Sequence, residues 1–96
     1  MENIVAQVIE KEMVSELNFP IKPIKLRTAE EQKKLFKKLK DAEKLGNLFH
    51  NKIKLIFQDD NGLKSVFTTI WAVGEDHILL KKGVFIPRHR IVSIEL

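Results

Sequence analysis

The spacing of apolar residues changes along the chain at about residue 51. Before this point, the stretch 28–46 places apolar residues three or four positions apart, which is the period of an α-helix. From residue 51 onward, short runs rich in Val, Ile, Phe and Leu alternate with Gly, Asp, Asn and Pro, as is typical of strands joined by tight turns. The pattern therefore predicts an α+β protein in which one helix precedes a sheet.

The helix is predicted over residues 29–45. Thr28 precedes it and Glu31 follows three positions later, which is the spacing of a capping box whose two side chains accept from free N–H groups at the helix start. Gly46 is expected to end the helix in a left-handed conformation. The apolar stripe consists of Leu35, Leu39, Ala42 and Leu45, with Phe36 on its flank. The helix is therefore amphipathic and is expected to pack on the sheet.

Five strands are predicted in the remainder of the sequence. Their runs are KIKLIF, LKSVFTTIWAV, HILLK, VFI and RIVSIEL. The sequence DDNG at 59–62 favours a hairpin because Asn and Gly tolerate positive φ. Five short strands with such turns predict a small, strongly bent antiparallel barrel. Its outer face also carries apolar residues (Ile56, Trp71 and Val73), so it needs a cover, either the helix and the N-terminal segment or another subunit.

The first 27 residues follow a less regular pattern. The stretch 3–17 is close to helical spacing, but Val14 and Leu17 fall partly off that face, so helix and strand both remain open. Pro20 and Pro23 favour extended geometry at the residue before each, which predicts an extended connector. We therefore expect a single domain over 1–96, with an N-terminal segment at 1–27, a helix at 28–46 and a β-barrel at 51–96.

Composition narrows the classes of function. The chain has no cysteine, which excludes disulfides, thiolate nucleophiles and cysteine metal sites. It also lacks an apolar run of the ~18 residues that a membrane span needs and any pattern of a signal peptide, so we expect no membrane partner and a cytoplasmic location. The histidines (His50, His77 and His89) lack metal-ligand spacing, and the hydroxyls lie in no nucleophile motif. We therefore expect no metal, no cofactor, no small-molecule substrate and no enzymatic activity.

Basic residues are concentrated in two regions, although the net charge is only +4. Residues 81–90 contain the candidate nucleic-acid-binding residues Lys81, Lys82, Arg88, His89 and Arg90. Guanidinium groups there can bind phosphate bidentately, and the histidine titrates near neutrality; the alternative is a solvated turn. Residues 22–40 carry eight Lys or Arg against two Glu. The helix lysines among them either follow a nucleic-acid backbone or form an ordinary polar face neutralised by nearby acids.

Three stretches in the second half of the chain carry recognisable motifs. NGLKSVFTTI follows an asparagine–glycine turn, GEDHILLKKG carries an apolar triplet before lysine, and IPRHRIVSI places a basic residue and a histidine before the last strand. Together they resemble the Sm-like (Hfq-type) family over residues 47–96. The resemblance implies an SH3-like barrel of five strands, with Arg88 and His89 at positions that contact uridine-rich RNA. The chain departs from the family by lacking a glycine in the stretch 66–70 and by having Asp76 where the family carries a base-stacking aromatic.

Two functions remain open at this point. The first is a non-enzymatic module that binds single-stranded RNA through the basic turn. The second is a protein-interaction or self-assembly module, forming a homo-oligomer through the barrel edge and the apolar outer face. Phe67 and Trp71 are expected to share one strand face, which fits either function. That face could be an aromatic platform for a base, or it could belong to the core or to an interface.

Overall fold

The computed structural model describes residues 6–21 and 28–96, which form an α+β fold. The elements, in chain order, are β1 (Gln7–Val8), a first 3₁₀ helix (Lys11–Glu16), α1 (Ala29–Phe49), β2 (Ile53–Asp59), β3 (Gly62–Thr68), β4 (Ile70–Val73), β5 (His77–Leu80), β6 (Val84–Pro87), a second 3₁₀ helix (Arg88–Arg90) and β7 (Ile91–Glu95). The predicted α+β class is confirmed. The predictions for residues 1–5 and for the connector at Pro23 lie outside the described residues.

The strands form two sheets that meet at Thr69. The first sheet has the order β1-β3-β2-β7 and the second has the order β4-β5-β6. β1 pairs with β3 in parallel, and the other pairs are antiparallel. The single strand predicted at 63–73 is therefore wrong, because the chain breaks at Thr69 and passes from one sheet into the other. The Thr69 carbonyl accepts from the backbone N–H of Lys81 at 3.0 Å, which fixes the break against the end of β5.

Both N-terminal elements complete the core between the sheets. α1 contacts β4 and β7, and the first 3₁₀ helix contacts β6 and β3. Val14 of the 3₁₀ helix and two residues of the predicted helical stripe, Leu39 and Ala42, are buried in the same cluster as the inward residues of the strands. The stretch that was ambiguous between helix and strand contains a two-residue strand and a 3₁₀ helix, and it is anchored through Val14.

The start of α1 matches the prediction. Thr28 Oγ1 accepts from the backbone N–H of Glu31 at 3.1 Å, and the Glu31 carboxylate accepts from the backbone N–H of Thr28 at 3.2 Å. These two bonds form the capping box, which satisfies two N–H groups that the helix itself leaves without partners. The first turn of α1 is thereby held in place.

The end of α1 differs from the prediction, because Gly46 does not stop the helix. The helix continues to Phe49, and His50 provides the left-handed cap with φ 57° and ψ 30°. Gly46 is buried against β4, where a Cβ atom would lie 2.5 Å from the carbonyl oxygen of Ile70 and 2.9 Å from the Cγ2 of Thr69. The glycine therefore serves a close helix–strand approach rather than a change of chain direction.

Replacing Gly46 by alanine tests this contact. Alanine raises helix propensity by about 1 kcal/mol relative to glycine, but its methyl group collides with the backbone of β4. We expect the collision to dominate, with a net loss of about 1–2 kcal/mol in the free energy of unfolding, measured by urea denaturation. The control is Asn47→Ala at the exposed neighbouring position, which should be neutral or stabilising. Equal stability of the two variants would contradict the role assigned to Gly46.

Candidate nucleic-acid interface

The five predicted binding residues do not lie together. Lys81 and Lys82 are exposed in the turn between β5 and β6, whereas Arg88, His89 and Arg90 form the second 3₁₀ helix at the opposite end of β6. The four residues of β6 separate the two groups by about 13 Å. The five side chains therefore belong to two groups at opposite ends of β6.

The three residues of the second 3₁₀ helix point in different directions. A 3₁₀ helix has three residues per turn, so consecutive side chains are rotated by about 120°. Arg90 is buried, with 6% of its surface exposed, and its Nε donates to the carbonyl of Gln58 at 2.9 Å. The alternative interpretation, a solvated turn, does not fit Arg90, because this guanidinium joins the 3₁₀ helix to β2.

His89 contacts the N-terminal segment, and Lys82 lies close enough to it to affect one carboxylate. Nε2 of His89 lies 2.9 Å from the carbonyl oxygen of Pro20 and donates to it in the tautomer that carries the proton on Nε2. Lys82 acts on Glu12 of the first 3₁₀ helix. The pKa of Glu12 lies below its ordinary value, mainly because its carboxylate accepts from its own backbone N–H, and attraction to Lys11 and then to Lys82 adds to the effect. Both basic residues therefore have neighbours within the fold.

Arg88 is held between α1 and the turn that joins β4 to β5. Its guanidinium carbon lies 4.6 Å from the centroid of the Phe36 ring, and its Nη1 donates to the carbonyl of Gly74 at 3.0 Å. Its backbone N–H donates to the carbonyl of Asp76 at 2.7 Å. A cation in contact with an aromatic face is attracted by the ring quadrupole. These contacts fix a planar, half-buried guanidinium in one position at the surface.

Arg88 and Phe36 line a groove between α1 and the β4–β5 turn, which we call the helix–turn groove. Its volume is about 560 Å³. Its lining residues are Ala29, Gln32, Lys33, Phe36, Val73, Gly74, Glu75 and Arg88. Val73 and Arg88 are half-buried and lie at its base, whereas Lys33 on the helix side and Glu75 on the turn side are exposed. The groove therefore combines an aromatic ring, cations and one carboxylate.

A row of lysines continues from the groove along α1. Lys33, Lys37, Lys40 and Lys44 recur at helical spacing, so they follow one face over about 16 Å. Lys40 forms an ion pair with Glu43 at 2.8 Å, and Glu43 also accepts from the backbone N–H of Val73 at 2.6 Å. Within the described part of the chain, the other three lysines of this row have no ion pair. We call Lys33, Lys37, Lys40 and Lys44 the lysine row.

Phe67 and Trp71 do not share the strand face that the sequence predicts for them. Phe67 lies in β3 and Trp71 lies in β4, so the break at Thr69 puts them in different sheets. Both are exposed rather than core residues, at 64% and 43% of their surface. The aromatic residue beside a fixed cation is instead Phe36, which the sequence placed on the flank of the apolar stripe. Its position one residue after Leu35 of that stripe was the only local signal, and nothing in the sequence pairs it with Arg88.

Two other classes of site find no support in the described residues. These residues contain no group of three or more His, Cys, Asp or Glu side chains that could hold a metal ion. None of their helices combines the length and the apolar character needed to cross a bilayer. The helix–turn groove and the lysine row are therefore the features that carry candidate chemistry.

Stability separates the roles of the basic residues. Arg90→Ala is expected to lower the free energy of unfolding by about 2 kcal/mol, because it removes a buried guanidinium and leaves the half-buried carbonyl of Gln58 without its charged donor. Each kcal/mol lowers the melting temperature of a domain this size by about 4–8 °C, so the loss is visible by circular dichroism. Lys81→Ala is the control and should stay within about 0.5 kcal/mol of the wild type. Coincident melting curves would show that Arg90 does not support the fold.

Comparisons with known proteins identify no family for this chain. No family model matches it, and no curated protein or solved structure matches it. The resemblance of residues 47–96 to Sm-like proteins is therefore neither supported nor refuted by these comparisons. The function must be inferred from the geometry and charge of the chain's own residues.

Proposed function

We propose that the protein is a non-enzymatic module that binds single-stranded RNA along the helix–turn groove and the lysine row. The observation that carries the proposal is the contact of the Arg88 guanidinium with the Phe36 ring, beside the start of the lysine row. Single-stranded nucleic acids bind where cations follow the phosphate backbone and aromatic or guanidinium planes stack on the bases. Both components meet at Lys33 and Phe36, which lie one turn apart on α1.

The dimensions support a single strand rather than a duplex. The groove has room for a base, since its volume of about 560 Å³ lies in the range of small-molecule pockets. A base can stack only when it is unpaired, so Phe36 and Arg88 would have no role on a duplex. The binding surface proposed from the structure keeps Arg88 from the sequence-based set and replaces the other four residues (Lys81, Lys82, His89 and Arg90) by Lys33 and Lys37.

We also propose that the two sheets form an SH3-like barrel of the Sm-like type. Three features support this proposal. β3 continues into β4 through the break at Thr69, and a 3₁₀ helix joins β6 to β7. The four strand pairs β2–β3, β2–β7, β4–β5 and β5–β6 are all antiparallel. A cytoplasmic location remains the simplest proposal for a cysteine-free chain of this kind. Fold resemblance alone does not assign function, so the RNA proposal rests on the groove and not on the barrel.

A salt titration tests the RNA proposal. Each phosphate contact adds about 0.7 to the slope of log affinity against log salt for a single strand, so Lys33→Gln with Lys37→Gln should reduce that slope by about 1.4. Affinity for short uridine-rich and adenine-rich strands is measured by fluorescence anisotropy between about 50 and about 200 mM salt. The matched control is Lys81→Gln with Lys82→Gln, which removes the same charge from the far end of β6.

The two double variants discriminate between the surfaces. The proposal expects a reduced slope for the helix variant and a slope close to that of the wild type for the control. Equal reductions of the slope in both variants would show that RNA binding depends only on total charge. A reduced slope in the control alone would place the interface at the β5–β6 turn. A wild-type protein that binds neither strand more tightly than about 100 μM at low salt is weaker than typical non-specific binding and contradicts the function.

A second candidate function is self-assembly, and the outer face of the second sheet favours it. The β4–β5–β6 register places Ala72, Leu79 and Phe85 side by side on this face, and a register shift presents Trp71 next to them. Phe85 is 59% exposed, and His77 meets it edge-on with ring centroids 6.2 Å apart. β6 and β7 lie at the edges of their sheets. Exposed apolar rows next to strand edges are typical of surfaces that pair with another copy.

Light scattering tests self-assembly directly. If the face is an interface between copies, the mass at micromolar concentration exceeds that of the 11.2 kDa chain, and Phe85→Ser with Trp71→Ser restores the monomer. The control is Phe67→Ser, which removes an exposed aromatic from the first sheet and should leave the oligomer intact. A monomeric wild type would exclude this second function and leave the RNA proposal unaffected.

A further inference from the structure

We infer that the helix–turn groove accepts one base of the bound RNA and prefers guanine, because Glu75 presents an acceptor-only carboxylate opposite the cations of the helix side. The inference rests on the RNA-binding function proposed above and adds a base preference to it. It concerns one nucleotide within the strand, whereas the lysine row acts on any sequence. It also differs from the uridine preference that the Sm-like resemblance implies for Arg88 and His89.

The first step is the stacking surface. Arg88 is fixed by the Gly74 carbonyl and by its own backbone hydrogen bond to Asp76, so its guanidinium plane is in place before a ligand arrives. Phe36 supports it from the helix and is itself 37% exposed. Bases stack on both aromatic rings and arginine planes. A base in the groove therefore gains stacking energy without ordering a flexible arginine.

The second step is the set of hydrogen-bonding groups that remain in the groove. The backbone of Gly74 is occupied on both sides, since its carbonyl accepts from Arg88 and its N–H donates to the carbonyl of His77 at 2.9 Å. On the turn side, Glu75 presents an exposed carboxylate, which only accepts hydrogen bonds. On the helix side, Lys33 presents an ammonium group, and the Gln32 amide can either donate or accept. The groove thus has its negative charge on the turn and a positive charge on the helix.

The third step matches these groups to the bases. Guanine presents two adjacent donors, N1–H and N2–H₂, which suit a carboxylate, and it carries the acceptors O6 and N7, which suit the Lys33 ammonium group. Adenine and cytosine offer one amino group each to Glu75. Uracil offers a single N–H between two carbonyl oxygens, which an ionised carboxylate repels. The expected order of preference is guanine, then adenine and cytosine, then uracil.

The fourth step places the phosphates. Glu75 disfavours a phosphate on the turn side, so the backbone of the strand is expected to pass on the helix side, where Lys33 and Lys37 lie. The same carboxylate that selects the base therefore also orients the strand. This arrangement separates a specific contact at the groove from sequence-independent contacts along α1.

The test compares two short RNA strands that differ only in their bases. One strand contains uridine alone, and the other carries isolated guanosines at two internal positions, which avoids guanine quadruplexes. Affinities are measured by fluorescence anisotropy with wild type, Glu75→Gln and Phe36→Leu. We expect the wild type to prefer the guanosine strand by about fivefold or more. Glu75→Gln should bring this ratio close to one, and Phe36→Leu should weaken both strands.

Matched variants control for charge and for aromatic content. Asp60→Asn removes an exposed acid from the β2–β3 turn, away from the groove, and should keep the preference for guanosine. Phe85→Leu removes an exposed aromatic ring from the second sheet and should leave both affinities unchanged. The ratio between strands is the readout, because loss of any acidic group raises affinity for both strands alike.

The outcomes separate this inference from the proposed function. The base preference is overturned if the wild type binds both strands with equal affinity, or if Glu75→Gln keeps the preference for guanosine. Either result leaves the proposed RNA binding in place. Failure to bind either strand overturns both. If Asp60→Asn also abolishes the preference for guanosine, selectivity depends on overall charge, and the role of Glu75 is refuted.

Discussion

The close approach of α1 to β4 sets the geometry on which the candidate site depends. Gly46 brings the helix backbone against the Ile70 carbonyl, and Glu43 accepts from the backbone N–H of Val73, so the helix is attached at both ends of the strand. Phe36 lies ten residues before Gly46, a helical distance of about 15 Å. β4 and the first residue after it span about 13 Å. Because these distances along α1 and β4 are similar, Phe36 lies level with the turn at Gly74, and Arg88 contacts the Phe36 ring there.

Local signals predicted the elements well, and contacts distant in sequence account for what they missed. The capping box at Thr28 and the hairpin at 59–62 depend on residues a few positions apart, so their sequence patterns suffice. Gly46 carries the same local signature whether it ends a helix or allows a close contact, and only the neighbouring strand decides between them. The break at Thr69 is likewise invisible in a run of β-branched and apolar residues, because it depends on which strand pairs with each half.

The binding residues were harder to predict, because adjacency in sequence does not mean adjacency on a surface. Arg88, His89 and Arg90 were expected to project together, yet a 3₁₀ turn distributes them around its axis toward α1, the N-terminal segment and β2. Composition cannot distinguish a buried arginine that supports a strand from one that faces solvent. Glu75 carries no signal in the sequence, and Phe36 carries only its place beside the apolar stripe, until the fold brings both to the same groove as Arg88.

The two kinds of positive charge at this surface have different physical consequences. Arg88 is already ordered by Phe36 and Gly74, so a ligand that contacts it avoids most of the entropy loss that a long side chain would otherwise incur. Lys33 and Lys37 are exposed, so their contribution comes from long-range attraction that salt screens. Lys40 is partly neutralised by Glu43, which is itself held by β4. In the proposed RNA complex, the lysines therefore attract any strand without distinction, and discrimination between bases depends on the fixed guanidinium and the carboxylate of the groove.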